Sequence, residues 1–284
     1  MADGGLATLG IVVPTLNAGG TLRATLESVR KAMALGARAI VVDGGSHDDT
    51  IPIAEFFGIP HLTTPGTMYA AINAGCVALD TPWLTWINGD DILYPDAIDC
   101  RIRDAGPLDV VYGTVDFIDH AGRFVHCWRS ARAGSLLTLY RSGYSPLLQQ
   151  GTIFRRGVFE SVGGFDKGLR FVGDADFWWR ALERGHRFGR HPWPPAAAFR
   201  LHPAQMSQRH ASEMRAEHEQ LAAGRPRARW VPATIAISRY RFENLGSYVI
   251  RILRRPFLDG QCFPNGSYDP PHSCSTVGDA SPSE

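Results

Sequence analysis

The residues most able to do chemistry stand at Asn88-Gly89-Asp90-Asp91, where the apolar run Leu84-Thr85-Trp86-Ile87 ends abruptly in an amide, a glycine and two adjacent carboxylates. Neighbouring aspartates repel each other unless water or a cation lies between them. Magnesium and manganese take oxygen ligands, usually one or two from protein and the rest from phosphate and water. Such a pair at a strand end can therefore hold the cation of a nucleoside diphosphate. It can equally be a solvated turn, or a cap for the segment that begins near Pro95.

The elements that position this turn are legible upstream. Over the first hundred residues β-branched runs alternate with helix-like segments, the pattern of a parallel sheet covered by helices. LGIVVP (Leu9 to Pro14) reads as a strand, and Thr21 to Leu35 as a helix with Leu22, Leu26, Val29 and Met33 on one face. ARAIVVD supplies a second strand ending at Asp43, GIPHLTT a third and PWLTWI a fourth, with a helix over Thr67 to Leu79. Ser46 with Asp49 three residues later has the spacing of a helix start between the second and third strands. Ligands of open α/β sheets bind beyond the carboxyl ends of the strands. Pro14-Thr15-Leu16-Asn17, Asp43-Gly44-Gly45-Ser46 and the Asp90-Asp91 turn are thus expected at one edge.

From residue 107 the texture becomes antiparallel. DVVYGTVDFIDHAGRFVHCW reads as a hairpin turning at Asp119 to Gly122, QGTIFRR as a strand, and Asp174 to Glu183 as a helix. Ser207 to Ala222 is again helical in pattern. Farther on, Leu245, Tyr248, Val249, Ile252 and Leu253 recur at helical spacing beside Arg251, Arg254 and Arg255, a basic amphipathic helix. That helix suits docking on its own domain or a partner, and also an anionic membrane surface. Beyond Pro256 the chain is rich in Gly, Pro and Ser and is expected to lack order.

Composition sets the outer limits. The chain has 284 residues, 44% hydrophobic and 20% charged, with a formal charge of +1, which is ordinary for a globular protein and gives no reason to expect nucleic acid as partner. Its positive charge is almost all arginine, Lys31 and Lys167 being the only lysines. Five scattered cysteines form neither a zinc spacing nor a disulfide framework, which favours a reducing compartment. No apolar run approaches the roughly 20 residues of a spanning helix, and the start of the chain lacks a signal-peptide pattern. The expected location is cytoplasmic, or peripheral at the inner face of a membrane.

Seven pieces, in order, resemble the inverting family 2 glycosyltransferases of GT-A type: IVVPTLNAGGTLRATLESV, VVDGGSHDDT, GTMYAAINAG, WINGDD, QQGTIFRRGVFESVGGFD, VGDADFWWRAL and RLHPAQMSQ. The resemblance covers residues 8–222 and implies a Rossmann-like, mostly parallel α/β nucleotide-binding sheet with an antiparallel acceptor-side portion. Its nucleotide-sugar half would span about 8–106 and its acceptor half 107–222. Residues 223–258 would form the amphipathic extension and 259–284 the tail.

Carried over by position, the resemblance implies that Asp43 binds the nucleobase, with Pro14, Thr15 and Asn17 lining that pocket. Asp91 would be the principal metal ligand, with Asp90 toward the ribose or the metal. Asn88 stands where stricter members have a carboxylate and can still meet a ribose hydroxyl. His202 would lie near the diphosphate or metal, or be a surface histidine. Asp174 would be the general base, Asp176 competing for that role, and Gly173 stands where members often carry Glu. Tyr69 and Asn73 would line the donor site or simply pack there, and Trp178 and Trp179 would be core and cleft wall.

The implied reaction moves a sugar from a nucleotide diphosphate-sugar, UDP being the commonest, to a hydroxyl of a glycan or lipid-linked acceptor, with Mn2+ or Mg2+ bound and the anomeric centre inverted. The alternative is a non-catalytic nucleotide- or glycan-binding module with the same fold, which the departures at Asn88 and Gly173 would suit. A nucleotidyltransferase fits less well, because PTLNAGGTLR lacks the basic glycine-rich loop that such chemistry needs.

Overall fold

The computed structural model describes residues 5–203 and 205–250. Elements follow in chain order. Strand β1 (Leu9–Thr15) leads to helix α1 (Leu22–Ala34), then β2 (Arg38–Asp43), α2 (Thr50–Phe56), β3 (His61–Thr63), α3 (Met68–Ala78) and β4 (Trp83–Trp86). Next come β5 (Ile92–Leu93), α4 (Pro95–Arg103), the hairpin β6 (Val110–Ile118) and β7 (Phe124–Arg129), and α5 (Ala133–Tyr140). The remainder is β8 (Ile153–Arg155), α6 (Arg156–Val162), α7 (Gly173–Glu183), β9 (Phe188–His191), β10 (Ala197–Arg200), α8 (Met206–Arg209), α9 (Ala211–Ala223) and α10 (Trp230–Glu243).

The strands order as β3-β2-β1-β4-β8-β6-β10-β5, with β7 and β9 also on β6. The first four are parallel, and β8 runs antiparallel to both β4 and β6. Long β6 joins the two parts of the sheet. Val110 and Val111 pair with β8, and Val110 to Gly113 with β9, while Thr114 to Ile118 pair with β7 and Asp116 to Ile118 with β10. The mixed α/β architecture is the expected one.

Strand periodicity divides the core. Val12, Val42, Leu84 and Trp86 enter one apolar cluster with Tyr69, Phe154, Phe177 and Trp178. Their neighbours Ile11, Val13, Val41, Trp83 and Ile87 enter the opposite cluster with Leu22, Leu26, Val29 and Ile98. Successive strand side chains point to opposite faces, so one buried run builds both layers. Helix α3 comes so close to β1 that a Cβ at Gly75 would lie 2.4 Å from Val12 Cγ1.

Three local readings differ from the expectation. Helix α2 starts at Thr50 with Asp49, not Ser46, at its N-cap and no side-chain bond from that cap, while Asp48 Oδ1 accepts from the Thr50 amide at 3.0 Å. Helix α5 was not foreseen and buries Leu136, Leu139 and Tyr140. Helix α10 precedes the expected basic helix; its apolar residues spread around the circumference, so no single face stood out in the sequence. It buries Ala236 and Tyr240 while Trp230, Val231, Ile235 and Phe242 stay exposed. Tyr240 accepts from Trp128 Nε1 at 2.8 Å, and Tyr248 meets the Trp128 ring edge-on. Residues 251–284, which include most of the expected basic helix and the tail, lie outside the described residues.

Candidate active site

Because β1, β2 and β4 are parallel, the loops after Thr15, Asp43 and Trp86 emerge at one edge. The first two are stitched together. Asp43, buried at the end of β2, accepts from the Gly45 amide (2.9 Å), the Ser46 amide (2.7 Å), Ser46 Oγ (2.5 Å) and Thr15 Oγ1 (3.2 Å). Burial alone would push its pKa up, but these bonds outweigh it and hold the carboxyl below its ordinary value. Asn17 takes a left-handed backbone, with φ at 51°. Its amide donates to Ser46 Oγ at 2.7 Å and its Oδ1 accepts from the His47 amide at 3.0 Å. Pro14 is internal to β1, in register with Val42.

The third loop divides its two aspartates. Asp91 is fully buried, Oδ1 accepting from the Arg200 amide (3.0 Å) and Oδ2 from Gln150 Nε2 (3.1 Å) and Asn88 Nδ2 (3.3 Å). Burial, and then the adjacent Asp90 charge, push its pKa well up, against these bonds. Its main-chain oxygen also accepts from Thr25 Oγ1 at 2.7 Å. The side chain of Asp91, the expected principal metal ligand, is thus turned into the protein at the foot of the turn. Asp90 points the other way. Its Oδ2 lies 2.9 Å from His202 Nε2, with the two side chains 26% and 18% exposed, so both are reachable. Asn88 Oδ1 is a buried acceptor with no partner among the described residues.

Arg200, at the end of β10, holds this arrangement. Its Nε donates to Asp90 O at 2.9 Å and its Nη1 to His120 O at 3.0 Å, tying the turn to the tip of the β6–β7 hairpin. Gln205 closes the loop behind it, donating to Arg200 O and accepting from the His202 amide at 3.2 Å. Neither Arg200 nor Gln150 was assigned a role from the sequence. Both lie in the segments that carried the resemblance, but their function, filling the lone pairs of Asp91, needs partners more than 50 residues away.

Asp174 sits elsewhere, in the first turn of α7, where a carboxylate is favoured by the helix dipole. It is half-buried, and Tyr69 Oη lies 3.4 Å from its Oδ1. Burial raises its pKa, partly opposed by bonds from the Ala175 amide and Tyr69. Asp176 is in a different environment: its oxygens pair with Arg180 at 2.6 Å and Arg225 at 2.7 Å. Asn73 clamps Phe165 through its main-chain N and O, both at 2.8 Å, and Trp178 and Trp179 are core residues. Among the described residues no hydrogen bond or ion pair joins Asp174 to the Asp90 turn. The candidate groups are thus an edge built by three loops and the Asp174 carboxylate on α7.

With this geometry in view, the likeness to known proteins is informative. The family model Glycosyl transferase family 2 matches residues 10–162, which is more than half of the chain and includes all three edge loops. The chain belongs to glycosyl transferase family 2. A PGL/p-HBAD biosynthesis glycosyltransferase of Mycobacterium bovis BCG is 31% identical to this family 2 chain over 178 residues, 59% of this chain and 66% of that protein. The chain thus spans just under two thirds of the length of that relative. Staphylococcus aureus TarS 1-349 in complex with UDP superposes with a TM-score of 0.57 at 16% identity, covering 88% of this chain and 77% of that one. Glucosyl-3-phosphoglycerate synthase from Mycobacterium tuberculosis, in complex with Mn2+, UDP and glucosyl-3-phosphoglycerate, gives 0.51 at 17% identity over 76% and 77% of the two chains. At these identities the structural likeness establishes the fold, which is of GT-A type.

The residues present fit a divalent ion of one particular kind. Among the described residues no group of three or more His, Cys, Asp or Glu side chains could hold a metal by itself. Asp90 and His202 offer one carboxylate and one imidazole side by side. A site with so few protein donors suits magnesium or manganese, which then take their remaining ligands from phosphate and water.

Proposed function

We propose that the chain is a metal-dependent, inverting glycosyltransferase that moves a sugar from a nucleotide diphosphate-sugar, with UDP as the nucleotide, to a hydroxyl acceptor. One observation carries the reading: the fold brings His202 and Asp90, 112 residues apart in sequence, to 2.9 Å at the edge where parallel strands present ligands. Family membership supplies the reaction class. UDP rests on the complexes of the two structural neighbours with it.

In this reading Asp90 and His202 hold the ion, and Asp91 acts from within by keeping the turn in shape. When bound, the ion supplies positive charge for the departing diphosphate. Thr15, Asn17 and the loop that Asp43 organises surround the base. All four acceptor positions of the Asp43 carboxylate are occupied. The 3.2 Å bond from Thr15 is the longest of them, and the one a base N–H would replace. Asn88 Oδ1, without a partner, suits a ribose hydroxyl. Asp174 takes the proton of the acceptor hydroxyl as that oxygen attacks the anomeric carbon, and the diphosphate leaves from the opposite face. Its pKa, raised by burial, suits a base, whereas the Asp176 carboxylate is engaged by Arg180 and Arg225.

The acceptor side of the proposal is a glycan or lipid-linked hydroxyl. Trp230, Val231, Ile235 and Phe242 on α10, and Leu245 and Val249 after it, are exposed in the same stretch of chain as Arg239 and Arg241, a combination suited to an anionic bilayer carrying such an acceptor. Among the described residues no helix is long and apolar enough to cross a membrane. The deciding experiment is calorimetry of UDP binding with and without Mn2+. UDP binding that Mn2+ strengthens, with that gain lost in Asp90→Ala and His202→Ala, supports the reading; binding unchanged by Mn2+ in the unmodified chain refutes the metal site. Sedimentation with acidic against neutral vesicles tests the membrane contact.

A further inference from the structure

Gly173, immediately before Asp174, has no room for a side chain. A Cβ placed there would lie 2.7 Å from Cδ2 and Cε2 of Tyr69. The ring filling that space is 1% exposed and stacks on Phe165, with centroids 6.0 Å apart and planes at 11°. Its hydroxyl faces two acceptors at once, Phe171 O at 3.0 Å and Asp174 Oδ1 at 3.4 Å. A phenol carries one proton and can share it between two such acceptors. The ring is fixed from three elements: by α3 on which it stands, by Phe165 in the segment after α6, and by the first turn of α7.

We propose that Tyr69 is a positioning residue for Asp174: its hydroxyl anchors Oδ1, leaving Oδ2 to take the acceptor's proton, and Gly173 is the residue that makes room for this contact. The proposal rests on the reading of Asp174 as general base. It accounts for the departure at Gly173, because any larger residue there would displace the ring. The groups that face Asp174 agree with it. Tyr69 on α3 and Tyr140 on α5 are both pushed well above the ordinary phenol range by burial and then by the Asp174 charge, so both are neutral near pH 7, and the Tyr140 hydroxyl has no hydrogen-bond partner among the described residues. Asp176, two residues along α7, is bound to Arg180 and Arg225 instead. Tyr69 is thus the side chain whose bond favours the charged form of Asp174.

The test uses the full chain labelled with [γ-13C]aspartate and titrated by NMR, the Asp174 resonance being assigned by its loss in Asp174→Asn. Tyr69→Phe keeps the ring and removes the anchor. The Asp174 titration should then move upward by roughly 0.5–1 pH unit, the value of one ordinary hydrogen bond. Gly173→Ala, which pushes the ring away with its hydroxyl intact, should move it in the same direction. An unmoved titration in both variants overturns the positioning role, even where the melting temperature falls. The base reading has its own control, UDP release from UDP-glucose, UDP-galactose and UDP-N-acetylglucosamine with Mn2+. If Asp174→Asn still turns over a donor used by the unmodified chain, that reading falls and this proposal with it. If Asp174→Asn is inactive while Tyr69→Phe titrates as the unmodified chain does, only the role of Tyr69 falls.

Discussion

Asp43 and Asp174 are both drawn away from water, yet their acidities move in opposite directions. Asp43 lies at the end of β2 among four donors from two loops, and these more than repay its burial. Asp174 opens α7, with burial dominating and only Tyr69 and its own helix start to offset it. The direction of the shift is set by the balance between burial and the donors that meet the carboxylate: at Asp43 four donors outweigh burial, whereas at Asp174, which is under-bonded, and at Asp91 burial wins.

The largest expected effect comes from removing the under-bonded one. Asp174→Asn should lower transfer by roughly 10²–10⁴-fold, the usual range for a positioned base, with UDP affinity little changed; rate assays and calorimetry check the two halves separately. The same asymmetry gives a pH dependence. Since the pKa of Asp174 in the folded chain is above the ordinary 3.8, transfer should decline, as pH falls, already at pH values above that figure.

Next come Asp90 and Asp91, neighbours that test the comparison within a single turn. Asp91→Ala strands three buried donors and should cost about 1–3 kcal/mol of stability or more, seen as a lower denaturation midpoint. Asp90→Ala should leave that midpoint nearly unchanged while abolishing the response of UDP binding to Mn2+. The opposite pattern would return the metal to Asp91.

Asp43→Ala should have a smaller, pH-dependent effect. A carboxyl whose folded pKa is depressed stabilises the fold above its unfolded pKa near 3.8, and that stabilisation is lost as pH falls through the folded value. The variant should therefore be about 1–2 kcal/mol less stable at neutral pH, with the gap closing in acid; denaturant titrations at several pH values measure it. Smallest is Tyr240→Phe, which loses the Trp128 bond, makes no hydrogen bond to an aspartate, and should cost about 0.5–1.5 kcal/mol with transfer unaffected.

Much of the sheet was legible because strands buried on both faces write themselves as runs such as Ile11-Val12-Val13 and Ile40-Val41-Val42. The edge loops followed from those runs by topology. Helices α5 and α10 escaped because their apolar residues find partners only in the folded chain, α5 against α7 and α10, and α10 through Tyr240 against Trp128. The site was legible by residue type and illegible by orientation. Asp90 and Asp91 are chemically identical in the sequence, and nothing local says which one turns inward.

Local physical chemistry, written along the chain, determined where strands begin and end, and hence that Thr15, Asp43 and the aspartate pair share an edge. Only the tertiary structure decided that Asp91 turns inward to Gln150 and Arg200, that Asp90 meets His202, and that Tyr69 fills the space over Gly173. The reason is one of range. Periodicity and turn chemistry act over a few residues, whereas Gln150 and Arg200, which hold Asp91, and His202, which meets Asp90, stand 59 to 112 positions away.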